Sequence, residues 1–261
     1  MPRTPSSDWW RDYFDAQYLL EYEPIFTHER ARRDVTRAIE LLELPVDSRI
    51  LDVPCGQGRH AHLLAEAGYR VDGLDYSRHL LARARQRGTG PTLRYHRGDM
   101  RKLPARWTGR FDALVNLFTS FGFFTEPADD ARTIDEFARV LKPGGTLIWH
   151  GGNRDGVMAR FLSRDWWRTA NGTLVAQERD FDPLSGILTV MSTWYGPHGT
   201  GEREHRIRLY TPTALAGLLA RSGLIVEQAW DGWTQRPLDR RSGEMLLVAR
   251  KHELPRRRRA R

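Results

Sequence analysis

Residues 50–64, ILDVPCGQGRHAHLL, pass from an apolar segment through two glycines into a run with the apolar spacing of a helix. A strand that turns straight into a helix leaves the first N–H groups of that helix free, and glycines let a ligand come close to them. Gly56, Gly58 and Ala61 satisfy the G-x-G-x-x-G/A spacing of such a ligand-binding turn. A unit of this kind works inside a parallel sheet, so the flanking sequence has to supply more strands and crossover helices.

It does so from residue 49 onward. Residues 50–53, 69–74, 92–96, 111–117 and 146–150 read as strands. Between them, 59–67 is a helix closed by Gly68, Ser77 caps a helix carrying Leu80, Leu81 and Ala84, and 131–141 is a helix with Ile134 and Phe137 inward. The pattern predicts an α/β fold that binds its ligand at the carboxyl ends of the strands. It breaks after His150, where 173–181, 187–195 and 202–210 read as an inserted antiparallel meander joined by DPLSG and GPHGTG. Alternation then resumes with a helix from Thr211 and Pro212 to Gly223, and ends with strands at 224–230 and 244–250. Before the sheet, Trp9, Trp10, Tyr13, Phe14, Tyr18 and Tyr22 predict one aromatic helix over 8–23, ended by Pro24. A second helix follows the N-cap Thr27, with Ala31, Val35, Ala38 and Leu42 on one face.

Composition narrows the function classes. A chain of 261 residues with 40% apolar content can bury a substantial core. No run approaches the ~20 apolar residues of a membrane span and the start lacks a signal-like segment, so a soluble cytoplasmic protein is expected. The single cysteine, Cys55, has no disulfide or zinc partner. The net charge is +8, but 256–261, RRRRAR, holds five of those charges and leaves +3 for residues 1–255. A basic tail after Pro255 reads as a solvated, disordered end rather than a nucleic-acid arm.

The acids around the glycines bear on the ligand. Asp75, near 20 residues past the turn, suits a ribose diol. Asp52, four residues before Gly56, would repel a pyrophosphate but favour a ligand that carries an ammonium group. In the HRGDM segment, Asp99 can accept from an adenine amino group and Met100 can pack on the ring. No Tyr-x-x-x-Lys pair of the short-chain dehydrogenase type occurs. S-adenosylmethionine meets these demands, with its ammonium, its diol, its sulfonium and no phosphate.

These residues resemble the class I S-adenosylmethionine-dependent methyltransferases over about residues 25–250. ILDVPCGQG is similar to the family's first motif, GLDYS to its second, GDM to its third, FDALVNLF to its fourth and LKPGGTL to the turn before its fifth strand. The resemblance implies a Rossmann-like seven-stranded sheet of order 3-2-1-4-5-7-6 with strand 7 antiparallel. By position it puts Gly56 and Gly58 on the methionine part, Asp75 on the ribose, Tyr76 and Met100 on the adenine faces, Asp99 on its amino group and Leu117 on the cofactor through its backbone. Asp52 contacts or supports the site near the ammonium. Arg30, 22 residues before Asp52, matches the arginine that holds the cofactor carboxylate in glycine N-methyltransferase-like enzymes, with Arg32 and Arg33 as rivals.

For the chemistry, Tyr18 on the aromatic helix is the candidate for closing over the sulfonium or orienting the acceptor. Phe118, Phe121, His150, Asn153 and Arg154 follow strands four and five, and His205 and Arg206 lie in the meander. No metal is expected, because the acidic ligand set of catechol methyltransferases is missing and Asn116 ends strand four. That favours an amine acceptor, which once neutral needs no obligatory base, over a hydroxyl that would need one. The expected organisation is a helical lid at 1–45, a cofactor-binding core at 46–150, a meander at 151–210 that caps substrate or forms a homo-oligomer, the end of the sheet at 211–255 and the tail at 256–261. The lid and the LNLFTSFG-like run also resemble the antibiotic, and in particular the lincosamide, N-methyltransferases. A small-molecule O-methyltransferase, an RNA methyltransferase and a non-methylating cyclase or regulator are the alternatives. RNA is disfavoured because NLFTS stands where amino-methylating DNA enzymes carry D/N-P-P-Y/F.

Overall fold

The computed structural model describes residues 8–197 and 199–252, so the arginine tail lies outside the described residues. Two short helices, α1 (Trp10–Tyr13) and α2 (Ala16–Glu21), replace the single helix expected over 8–23. The break comes at Asp15, whose backbone is extended and whose carboxylate accepts the Tyr18 N–H at 2.9 Å. An aspartate able to cap a new helix competes with the carbonyl that would have continued the old one. Helix α3 (His28–Leu42) starts at Thr27, which accepts the Arg30 N–H at 3.2 Å. Its Ala31, Val35, Ala38 and Leu42 pack in the same cluster as Ile50 and Leu64, so this helix belongs with the core and not with the lid.

The core alternates as its pattern requires: β1 (Arg49–Asp52), α4 (Arg59–Glu66), β2 (Arg70–Asp75), α5 (Arg78–Arg87), β3 (Leu93–Arg97), β4 (Phe111–Asn116), α6 (Pro127–Val140) and β5 (Leu141–Gly152). Helix α6 begins four residues before the expected start because Pro127 serves at its first turn, with Asp129 and Asp130 favoured beside the helix N-terminus. After the meander come α8 (Pro212–Arg221), β10 (Leu224–Asp231) and β11 (Glu244–Lys251). The sheet order is β10-β11-β5-β4-β1-β2-β3, and β11 runs antiparallel to both of its neighbours. Counting only the strands of this sheet gives 3-2-1-4-5-7-6. Ile50, Leu51, Leu114, Val115 and Ile148 are fully buried, as central strands covered on both faces must be.

The insertion is a second, four-stranded antiparallel sheet, β6 (Arg164–Arg168), β7 (Leu174–Asp182), β8 (Ile187–Gly196) and β9 (Gly199–Arg208), preceded by the short α7 (Arg154–Ala159). Strand β6 and helix α7 carry no periodic apolar signal in the sequence. An edge strand such as β6 is held by its ladder to β7, and α7 by the Asn153 side chain, which accepts the Asp155 N–H. The meander is fastened to the core at Arg208, which is almost fully buried and pairs with the fully buried Asp130 at 2.6 Å; Tyr210 donates to the same carboxylate at 2.7 Å. Among the described residues no helix is long and apolar enough to cross a membrane.

Candidate active site

The site is built on the carboxyl ends of β1 to β5. After β1 the chain turns through Gly56 and Gly58, both with positive φ, into α4. A Cβ at Gly58 would lie 2.5 Å from the Tyr95 hydroxyl and 2.9 Å from Ala84, so only glycine fits there. The turn is held by the carboxylate of Asp75 at the end of β2, one oxygen accepting the Gly56 N–H and the other the Ser77 N–H, each at 2.8 Å. Burial pushes the Asp75 carboxyl up to about 6. Asp52, 1% exposed, lies beneath the turn; the Ala61 N–H donates to it, while Oδ2 has no partner among the described residues. Burial raises it to about 8, against the opposing pull of Arg59.

A narrow cleft of about 70 Å³ opens above the turn, lined by Gly56, Asp75, Tyr76, Asp99 and Met100 and roofed by Trp10, Phe14 and Tyr18 of the lid. Five of the anticipated cofactor residues therefore share one cleft. Asp99 is held there by Arg101, whose guanidinium reaches it at 2.7 Å and whose N–H donates to it at 2.9 Å. Leu117 lines a smaller adjoining cavity with Gly56, Tyr18 and Phe118. Gly58 faces Tyr95 and Asp52 stays buried; neither lines the cleft or the small cavity. Arg30 is not brought to the cleft. It faces Glu244 at 3.7 Å and lines a separate, larger cavity.

That larger cavity, about 700 Å³, lies between lid, core and meander. Its walls include Phe118, His150, Trp167, Arg168, Arg179, Val190, His205 and Glu244. It shares Phe14, Tyr18, Ser120 and Phe123 with the cleft, so the two spaces meet at these four side chains. Tyr18 and Ser120 also line the small cavity. Burial raises the Tyr18 hydroxyl far above its ordinary range, which keeps it a neutral hydrogen-bonding group.

His150 lines the large cavity but has no nitrogen free for a substrate proton. Its Nδ1 accepts the Phe118 N–H at 3.2 Å, which leaves the proton on Nε2, facing Glu244 Oε2 at 3.2 Å. The His150 carbonyl accepts the Thr119 N–H at 3.0 Å. Phe118 and Thr119 have φ of 61° and 54°, and His150 clamps both of these strained residues. Both ring nitrogens of His150 are therefore engaged within the protein. Phe121 and Arg154 also depart from expectation. Phe121 is 1% exposed and packs on Trp149 and Tyr210, while Arg154 is not among the residues lining the cleft or the two adjoining cavities. Arg206 turns to Glu204 at 2.7 Å. His205 does reach the large cavity, buried beside the Tyr13 hydroxyl at 2.9 Å and pushed down to about 3 by burial, so it is neutral.

Sequence reading missed Ser120, Phe123, Glu244 and Arg203. Arg203 bridges lid and meander: it donates to the Tyr13 carbonyl at 2.9 Å and reaches Asp15 at 3.0 Å and the fully buried Glu21 at 2.8 Å. Trp167 adds its Nε1–H to the Glu21 carbonyl at 2.9 Å. The lid is also tied to the core, where Ser77 donates to the Phe14 carbonyl and Arg11 to the Tyr76 hydroxyl, both at 2.5 Å. Among the described residues no group of three or more His, Cys, Asp or Glu is placed to hold a metal ion. Cys55 is buried and its thiol is pushed well up by burial, which fits a small residue in the turn.

An acid behind the turn, a second acid at the end of β2, a thioether and a tyrosine at the cleft fit S-adenosylmethionine. The chain belongs to the S-adenosylmethionine-dependent methyltransferases. Residues 50–145 match the methyltransferase domain family. A dTDP-3-amino-3,4,6-trideoxy-α-D-glucopyranose N,N-dimethyltransferase of Streptomyces venezuelae is 37% identical over 234 residues, 87% of this chain and 94% of that protein. A glycine/sarcosine N-methyltransferase of Halorhodospira halochloris is 36% identical over 160 residues, but the match spans only 60% of each chain. Among solved structures, the CcbJ methyltransferase of Streptomyces caelestis superposes with a TM-score of 0.74 at 20% identity, covering 85% of this chain and 90% of that one. A cofactor-bound amino pentose methyltransferase of Micromonospora echinaspora gives 0.66 at 23%, covering 90% and 96%; both share the fold.

Proposed function

We propose that the chain transfers the methyl group of S-adenosylmethionine to the amine nitrogen of a small acceptor held in the large cavity, with an amino sugar of secondary metabolism as the best candidate. The observation that carries this reading is the junction of cleft and cavity at Phe14, Tyr18, Ser120 and Phe123. A methyl group passes in line from donor to acceptor, so the two ligands have to face each other across one shared opening. Two relatives named as amino-sugar N,N-dimethyltransferases, of Streptomyces venezuelae and Streptomyces fradiae, align over 94% and 72% of their lengths. Arg168 and Arg179 at the cavity wall suit an anionic carrier on the acceptor.

The cofactor supplies an electrophilic methyl group when bound. Gly56, Asp75, Tyr76, Asp99 and Met100 hold the nucleoside in this reading, with Asp52, Gly58 and Leu117 shaping the turn and the adjoining wall. Tyr18 and Ser120 orient the nitrogen lone pair toward the methyl carbon, and Phe118, clamped by His150, keeps water out of the opening. Tyr18 and His205, both neutral, place no charge beside the acceptor, which would attack as the free amine and release its proton to solvent after methylation. The lid in this scheme is α1 and α2, the core spans β1 to β5 with β10 and β11, and the meander caps the acceptor. A homo-oligomer would form on the meander's outward face, where Trp166 and Tyr195 are exposed, and the enzyme would act in the cytoplasm.

A panel of amino sugars, small amines, phenols, alcohols and RNA, incubated with isotopically labelled methyl donor, tests the reading by mass spectrometry. Label is expected on nitrogen of an amino-sugar acceptor. Label confined to hydroxyl acceptors or to RNA would overturn it.

A further inference from the structure

Among the described residues, Arg59 is a buried cation without a hydrogen-bonding or ion-pair partner. It is the first residue of α4, directly after Gly58, and is 8% exposed. Its guanidinium carbon lies 4.8 Å from the ring centre of Phe26 and 4.5 Å from that of Phe118. No hydrogen bond or ion pair reaches it from the described residues, and its Nη1 is buried with nothing to donate to. Desolvation lowers its affinity for its own proton; Tyr18, Asp34 and Asp52 counter this only at a distance.

Two other arginines, the buried Arg208 and the largely buried Arg203, differ. Arg208 holds Asp130 at 2.6 Å and Arg203 holds Glu21 at 2.8 Å, so this chain pairs its buried guanidinium groups with carboxylates. Arg59 has the same need, and its side chain lines the small cavity with Gly56, Tyr18 and Ser120. That cavity shares Tyr18, Pro54, Gly56, Leu80 and Ser120 with the cleft, and its lining includes neither Asp75 nor Asp99, the acids that suit adenosine. A donor whose nucleoside lies at Asp75 places its amino-acid end there.

We propose that Arg59 binds the α-carboxylate of S-adenosylmethionine through its guanidinium group. Arg30, anticipated for this task, faces Glu244 in the other cavity instead. Phe26 and Phe118 hold the guanidinium plane from the side, so the group is set before the cofactor arrives and little ordering remains to be done on binding. The assignment rests on the family's cofactor alone and is independent of which acceptor receives the methyl.

Titration calorimetry with S-adenosylmethionine and its decarboxylated analogue tests it without any turnover. The analogue keeps the adenosine, the sulfonium and the ammonium. The wild-type protein is expected to bind the intact cofactor more tightly by about tenfold or more, the scale of a charge-assisted hydrogen bond. Arg59→Met is expected to lose that preference by weakening the intact cofactor alone, and Arg30→Met to retain it. Arg59→Lys, which keeps the charge but not the planar fork, should fall between. Equal affinity of the wild type for both ligands, equal weakening of both by Arg59→Met, or loss of the preference in Arg30→Met would each overturn the proposal. The wild-type comparison holds even if a variant does not fold.

Discussion

The two walls of the site are stabilised by different means. The donor wall, at the ends of β1 and β2, is fixed by carboxylates holding backbone N–H groups: Asp75 takes Gly56 and Ser77, and Asp52 takes Ala61. The acceptor wall, where lid meets meander, is fixed largely by side chains reaching across long stretches of sequence, with Arg203 on Glu21 and Asp15 and Tyr13 on His205. Hydrogen bonds to backbone tie the donor wall to the fold itself. Links between side chains can change from one protein to the next without altering the sheet, which is where differences in acceptor among methyltransferases of one fold can arise.

The largest expected effect of breaking the comparison lies on the acceptor wall. Arg203→Met removes the ion-pair partner of the fully buried Glu21, which should cost about 3–5 kcal/mol in urea unfolding followed by tryptophan fluorescence. Adding Glu21→Gln should recover much of this loss, whereas a double variant as unstable as the single one would show that the pair does not secure the lid. Tyr18→Phe comes next. With only the hydroxyl removed at the shared opening, kcat is expected to fall by about tenfold, a loss of ~1.4 kcal/mol in the barrier, while the unfolding midpoint stays in place. Unaltered kcat would return Tyr18 to packing among Phe14, Tyr22 and Phe26.

A smaller effect sharpens the donor wall. Burial lifts Asp52 to about 8, so the folded protein holds this proton more tightly than the unfolded chain does. The stability it contributes is complete below about pH 4, the ordinary range of the group, and is lost as the pH rises toward 8. Ligand-free wild type should therefore unfold at a lower temperature at pH 8 than at pH 5 by more than Asp52→Asn does. Identical pH dependence in the two proteins would mean that Asp52 is ionised beneath the turn throughout.

The same contrast explains what could be read from the sequence. The turn was legible because its geometry demands particular residues in a short span: Gly58 has no room for a Cβ, and Asp75 falls at the fixed distance of one βα unit. Alternation showed a parallel α/β sheet, whereas the strand order and the antiparallel final strand came from the resemblance to the methyltransferase family. The lid was only half legible, since aromatic spacing showed an amphipathic segment but not that Asp15 would cap a second helix within it. Arg203 and Glu244 were invisible because their partners, Glu21 and His150, lie far away along the chain and nothing local distinguishes them from solvated charges. His150 was found by its place after β5, but its task was not legible, because only the structure shows that the Phe118 N–H occupies Nδ1.

Titration of S-adenosylmethionine into wild-type protein and Asp75→Ala probes the donor wall most directly. Removing a carboxylate that both holds the Gly56 turn and faces the cleft should weaken binding by about tenfold or more. Wild-type affinity in a folded Asp75→Ala protein would contradict the placement of the methyl donor in this cleft.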